Sequence, residues 1–300
     1  MAHDSVVWEG SLGVADIQSQ RPVTPTTQFH LASLTKTFAS TIVLQLVEQG
    51  LVNLDDPVSN YGLTLPTSGI IQVRHLLSHT SEGVPGEQFR YNGDRFALLD
   101  HVIQRATGES FAMRVMERIV VPLALDRTAP NPLDPVAFAA SGRDAMTYSA
   151  EMATGYGVDG LRRPVAVGYP GSFSSAAGLV STAREVARYS TALDAGQFLN
   201  PATRTLAYTP SRGADNRILP YGLGWFISTV SGHKLVWHYG YWTGNSSLII
   251  KEPSRGFTFV VLTNSDQLSA RFNLGAGDLM SSTVAQAFVN AFVTGPLGQP

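Results

Sequence analysis

The chain has 300 residues, near-zero mean hydropathy and a formal net charge of -2, enough length to bury a large core in one domain or two interleaved ones. No block of like charges offers a footprint for nucleic acid or an anionic membrane surface, and the absence of cysteine excludes a disulfide framework, a thiolate nucleophile and a thiolate metal site. No apolar run reaches the ~18 residues of a membrane span, and MAHDSVVWEG lacks the basic-then-apolar order of a secretory leader, so the compartment stays open.

In chain order, DSVVWEGSLGVAD alternates and predicts a strand or hairpin near residues 4 to 16. Residues 33 to 49 have helical periodicity, with Phe38, Ile42 and Leu46 on one face and Gly50 as the stop. NLDDPVSNYG reads as a turn-rich exit and VRHLLSHTSEG as a short helix ending in a loop. RFALLDHVIQRATG is an amphipathic helix closing on Gly108, and ESFAMRVMERIVVPL another, stopped by Pro122. Residues 128 to 172, rich in Pro, Gly and small side chains, read as a long loop region. SAAGLVSTAREVARYSTAL returns to helix with Thr182 or Ser181 as N-cap. After Pro220 the period becomes that of strands: YGLGWFISTV, KLVWHYGYWTGNSSLIIK and GFTFVVLTN predict three consecutive antiparallel strands, followed by a helix in AGDLMSSTVAQAFVNAFV. The expected fold is α+β: an antiparallel sheet built from both chain ends (residues 1–55 and 215–300), a mostly helical lobe (56–214), and a cleft between them.

Only three lysines occur, Lys36, Lys234 and Lys251. One of them closes the tetrapeptide SLTK, which puts Ser33 and Lys36 on one face of the first helical turn. Amide groups and the positive dipole end at such a terminus can hold an oxyanion near Ser33, and the same field with burial lowers the lysine pKa until its amine can act as a base. Ser231 and Lys234 share the spacing in SGHK, but in a hairpin turn with no helix to align them. His75 and His79 lie four apart without the carboxylate of a zinc motif and read as loop braces; His30 and His101 have no motif around them. Trp225, Trp237, Tyr239 and Trp242 read as core or cleft wall.

FHLASLTKTF, VNLDDPVSNY, VRHLLSHTSEGVPG, FRYNGDRFALLDHVIQRATGESF, SAAGLVSTAREVARY, YGLGWF and WHYGYWTGNSS follow one another in the order of a known family. By these markers the chain resembles the serine beta-lactamase and penicillin-binding-protein superfamily, in its class C beta-lactamase-like group with DD-peptidases and family VIII carboxylesterases. The resemblance implies a beta-lactamase/transpeptidase-like fold, Ser33 as the acylated nucleophile and Lys36 as its base. The family's Tyr-x-Asn element matches Tyr91, with Tyr148 as a rival, but Gly93 stands where the family has asparagine. That loss implies weaker selection for acylamino substrates, with Asn92 as a compensating amide. The family's His-x-Gly element matches His238-Tyr239-Gly240. It implies that His238 donates to a substrate carboxylate or to the Tyr91 oxygen, that Gly240 lets substrate approach the strand, and that the Tyr241 amide joins that of Ser33 as the oxyanion hole.

The expectation is a serine hydrolase without metal or organic cofactor, acting on a small ester or amide, with a carboxylesterase ahead of a beta-lactamase or DD-peptidase. A non-catalytic binding protein on the same fold is the reading from another class. Family members usually begin with a helix and strand ahead of the segment that opens this chain, so an open sheet edge is expected, and with it a homodimer.

Overall fold

The structure is a computed structural model, and it describes residues 5–295. The first strand is shorter than expected: Val14–Asp16 (β1) pairs antiparallel with Arg21–Pro22 (β2), and residue 4, where the expected strand begins, lies outside the described residues. Phe29–His30 (β3) leads into one turn of 3-10 helix, Ala32–Leu34, which runs on as Thr35–Glu48 (α1). Gly50, at φ 72°, takes the left-handed conformation that ends the helix. Most of α1 is buried, its threonines included, as befits a helix running through the centre of a core.

Val73–Leu77 (α2) is the expected short helix. The next amphipathic segment begins earlier than its periodicity suggested and is broken at Leu98, giving Gly93–Ala97 (α3) and Leu99–Thr107 (α4) before Gly108. Phe111–Val115 (α5) continues as a π-helical turn, Met116–Val120, just ahead of Pro122.

Residues 128 to 172 are not one long loop. They hold Ala129–Pro130 (β4), Pro135–Phe138 (α6), Ala145–Ala150 (α7) and a hairpin of Gly155–Val158 (β5) with Pro164–Val167 (β6). Each element is too short to display a hydrophobic period; both helices start from an aspartate, Asp134 or Asp144, whose carboxylate accepts an amide of the first turn. Ahead of the expected cap, SAAGLVS holds a strand: Leu179–Ser181 (β7) is the middle strand of a small sheet, between β3 and β4. Thr182 then caps Ala183–Asp194 (α8), and Pro201–Ala207 (α9) follows.

The main sheet has four antiparallel strands rather than three. KLVWHYGYWTGNSSLIIK folds back on itself at Thr243 and Gly244, the glycine at φ 85°, and the order β11-β10-β9-β8 comprises Phe226–Val230 (β8), His233–Trp242 (β9), Asn245–Glu252 (β10) and Phe257–Thr263 (β11). Among the described residues all four come from the C-terminal third; β1 and β2 form a separate ribbon, tied to the sheet's end by the Asn264 amide, which donates to the carbonyls of Val14 and Thr154. The alternation of strand side chains builds two layers. Leu235, Trp237, Leu248 and Ile250 face Thr283–Phe288 (α10), while Val236 and Ile249 join the core around α1. This is an α+β fold with α1 packed between the sheet and the helices, so the start of α1 abuts the middle of β9.

Candidate active site

The turn that carries Ser33 is held in a strained shape. Ala32, just before it, has φ 48°, the left-handed region that a residue with a Cβ enters only when its surroundings impose it. Those surroundings are identifiable. The Ala32 amide donates to Nδ1 of His30 at 3.1 Å, the Thr35 hydroxyl donates to the Ala32 carbonyl at 2.7 Å, and Ser247 on β10 donates to the Leu31 carbonyl at 2.7 Å. Opposite Ser247 in the strand register is Gly240, where a Cβ would lie 2.1 Å from the Leu31 carbonyl oxygen. Only glycine lets β9 approach this closely.

Lys36 is 1% exposed and reaches back along the first turn, with Nζ 2.9 Å from Ser33 Oγ and 2.8 Å from the Ala176 carbonyl oxygen. Burial pushes its pKa down to about 7, against a smaller upward pull from Asp94. A neutral amine this close to a serine hydroxyl can take its proton.

Tyr91 covers the lysine, with Nζ 5.1 Å from its ring centroid. Its buried hydroxyl makes no well-formed hydrogen bond; burial holds its pKa well above the ordinary value, the Tyr239 phenol adds to this, and the nearby Ser33 side chain opposes it. The phenol therefore keeps its proton at neutral pH. Tyr148, the rival, lies elsewhere, donating to the Arg127 carbonyl and packing on Phe138. His79 packs against Tyr91 with ring centroids 4.3 Å apart and accepts the Asn92 backbone amide on Nδ1, so it braces this loop. Asn92 does not act as the compensating amide: its side chain caps α3 through the Arg95 amide and donates to Glu82. A Cβ at Gly93 would lie 4.0 Å from Lys36 Nζ, so this glycine leaves open the space beside the amine.

The strand edge supplies the other wall. Pairing of β8 with β9 runs only to Phe226 and Trp237, and among the described residues no strand continues it. In a two-residue hairpin the residues flanking the turn, here Trp242 and Asn245, form a doubly hydrogen-bonded pair, and such pairs recur at every second position. Trp242, Gly240 and His238 thus bond to β10, while Tyr241 and Tyr239 direct their N–H and C=O groups off the open edge. The Tyr239 carbonyl is taken by His238 Nδ1 at 2.6 Å; the Tyr241 amide is next to the turn that carries Ser33, because Gly240 rests on Leu31 and Ala32.

His238 departs from its expected role. It is fully buried, burial pushes its pKa down to about 3, with Lys36 adding to the effect, and Nε2 accepts from the Tyr221 hydroxyl at 2.8 Å. With both nitrogens engaged, by Tyr221 and the Tyr239 carbonyl, and its ring centroid 6.3 Å from that of Tyr91, it makes no bond to the Tyr91 oxygen. Trp225 and Trp237 are core, and Tyr241 and Trp242 are exposed beside the site. Among the described residues no group of side chains is placed to hold a metal ion.

Sequence reasoning passed over Ser247, the Ala176 carbonyl, Tyr221 and the part played by His30. Ser247 was within reach, since reading Thr243-Gly244 as a turn puts it opposite Gly240; a backbone carbonyl such as that of Ala176 leaves no side-chain signal.

The chain belongs to the Beta-lactamase family, whose model matches residues 1–278. It is 24% identical over 305 residues to a penicillin-binding protein of Bacillus subtilis (strain 168), covering 87% of this chain and 66% of that one. It is 25% identical over 293 residues to Esterase EstB of Burkholderia gladioli, covering 76% and 73%. The octameric penicillin-binding protein homologue from Pyrococcus abyssi superposes with a TM-score of 0.79 at 23% identity, over 96% of this chain and 71% of that one. Against the Bacillus subtilis protein the chain spans about two thirds of the length.

Proposed function

We propose that this protein is a serine hydrolase that works through an acyl-enzyme on Ser33, and that its substrates are small carboxylic esters. The observation that carries the reading is the 2.9 Å approach of a buried, carboxylate-free Lys36 amine to the Ser33 hydroxyl. Ser33 Oγ attacks the acyl carbon as its proton passes to Lys36 Nζ, and the amides of Ser33 and Tyr241 take up the charge on the carbonyl oxygen. Collapse breaks the bond to the alcohol, which leaves with a proton relayed from Lys36 through the Tyr91 hydroxyl. Water then attacks the Ser33 ester by the same base, releasing the acid and restoring the serine.

Esters are favoured because their leaving group asks less of substrate orientation, and the open space at Gly93 removes an amide that would orient an acylamino group. Similarity to an esterase supports this choice. Similarity to penicillin-binding proteins supports beta-lactams or D-Ala-D-Ala peptides as the second reading. Hydrolysis of p-nitrophenyl butyrate by the wild type and by Ser33→Ala is the test, with nitrocefin in parallel. Ester turnover that drops on the order of 10⁴-fold in the variant supports the reading; full activity in Ser33→Ala sinks the acyl-enzyme, and turnover of nitrocefin alone moves the substrate class. A protein that no fluorophosphonate labels at Ser33 belongs instead to the binding-protein reading.

A further inference from the structure

The Ala176 carbonyl that receives Lys36 is at the tip of a tight turn, in which Ser174 and Ala177 pair with each other and Ser175 and Ala176 bridge them. Three bonds fix this tip on its far side. The Ser175 amide donates to Asp100 Oδ1 at 2.8 Å, and the Ser175 hydroxyl lies within 3.2 and 3.3 Å of the Phe96 and Ala97 carbonyls at the end of α3. Asp100 is in the first turn of α4 and half-buried, and it forms part of the wall of a cavity of about 350 Å³ with His101, Gln104, Ser110 and Asp134.

We propose that Asp100 is a positioning residue for the Ser33–Lys36 pair: through the Ser175 amide it sets where the Ala176 carbonyl stands, and hence where the Lys36 amine points. The inference rests on the serine-hydrolase reading above. Two features make Asp100 more than a structural acceptor. Its bond is made to the amide of Ser175, the residue just before the one whose carbonyl touches the base, so any slackening there is passed on across two linked peptide units. The cavity also gives the carboxyl a route to exchange protons. Burial pushes its pKa up to about 6, while the bonds from Ser175 and the neighbouring His101 pull it down. The other titratable group facing it is Asp134, whose own carboxylate holds the Phe173 amide of the same segment at 3.0 Å. Above pH ~6 the Ser175 bond is charge-assisted and strong; below it the neutral acid holds the turn no better than an amide would.

The test is the rate of Ser33 labelling by a fluorophosphonate between pH 5 and 9, followed by intact mass in the wild type, Asp100→Asn and Asp100→Ala. This probe reports activation of the serine whatever the natural substrate. Asp100→Ala is expected to label about tenfold slower or worse at pH 8. Asp100→Asn, which keeps an acceptor for Ser175, is expected to label about two- to fivefold slower than the wild type at pH 8 and to converge with it at pH 5. Asp100→Ala at the wild-type rate, or a wild-type to Asp100→Asn ratio that stays flat across the range, overturns the proposal. If Asp100→Ala fails to fold, the pH dependence of that ratio decides alone. A wild type that is itself unlabelled refutes the serine-hydrolase reading, and this inference falls with it.

Discussion

Lys36 and Lys251 are both shut away from solvent, yet the structure treats their charges in opposite ways. Lys251, on β10, has Nζ 2.8 Å from Asp194 Oδ1 and 2.6 Å from the Tyr208 hydroxyl, and it lies over the Trp225 ring at 4.8 Å. Burial lowers its pKa, and Asp194 works against that lowering. Lys36 has a serine and a carbonyl instead, with Asp94 only a weaker, more distant influence. A buried lysine given a carboxylate is kept as a cation and joins elements together; one denied a carboxylate becomes an amine near neutral pH. The exposed Lys234, with Ser231 three residues before it in the β8–β9 turn, shows that spacing alone yields neither.

The largest effect that would break this contrast is at Lys36. Lys36→Met is expected to lower kcat/KM on the order of 10³-fold or more, while Lys234→Met leaves it within about twofold. In the wild type the rate should rise with pH through a midpoint near 7, because only the deprotonated amine accepts the Ser33 proton. The same shift has a stability consequence of fixed sign. The folded pKa, about 7, is below the ordinary 10.5, so between these values the unfolded chain binds the extra proton and stability climbs with pH. The penalty is fully present below pH ~7. Lys36→Met should therefore melt higher than the wild type at pH 6, with the advantage shrinking toward pH 10. Equal pH dependence of Tm in the two proteins would show that Lys36 is charged in the fold after all.

Lys251→Met comes next and inverts the outcome. Removing one partner of a buried pair costs about 3–5 kcal/mol; the partial exposure of Asp194 brings the expectation to roughly 2–4 kcal/mol, read by urea denaturation. The rate per folded molecule should not change, since the side chain touches nothing in the active site. A loss of kcat at unaltered stability would mean that the two lysines are not divided between architecture and chemistry.

This division also marks what was legible in the sequence. The Ser33–Lys36 pair could be read because both residues lie within one turn of a helix with a clear period and a glycine stop, so local geometry alone brings them together. Tyr91 and the His238–Gly240 stretch were found through the resemblance, as patterns without geometry. Gly240 was expected to make room for substrate, but the backbone that comes close to it is the chain's own Leu31–Ala32 turn, and the role of His238 depends on Tyr221, brought to it by tertiary packing that no spacing announces. The partner of Lys251 was illegible for the same reason, since Asp194 and Tyr208 come from α8 and the end of α9. In residues 128 to 172 the elements fell below the length at which a period can be seen.

The finest way to sharpen the contrast is to give Lys36 part of what Lys251 has. Gly93 permits it: its φ is outside the left-handed region, its nearest neighbour to a new Cβ is Lys36 Nζ at 4.0 Å, and the cap that begins α3 belongs to Asn92. In Gly93→Asn the amide oxygen comes within reach of the ammonium and favours it, so the pKa of Lys36 rises. The expected result is an acid limb of the rate profile displaced upward by up to about one unit, and ester turnover at pH 7 reduced by a factor below ten. The same amide can orient an acylamino substrate, so the ratio of nitrocefin to ester turnover should rise. A displaced limb with an unchanged ratio would mean that position 93 tunes the base but does not choose the substrate. An unmoved limb would mean that an amide placed beside Lys36 has no bearing on its charge, and that burial alone sets its pKa.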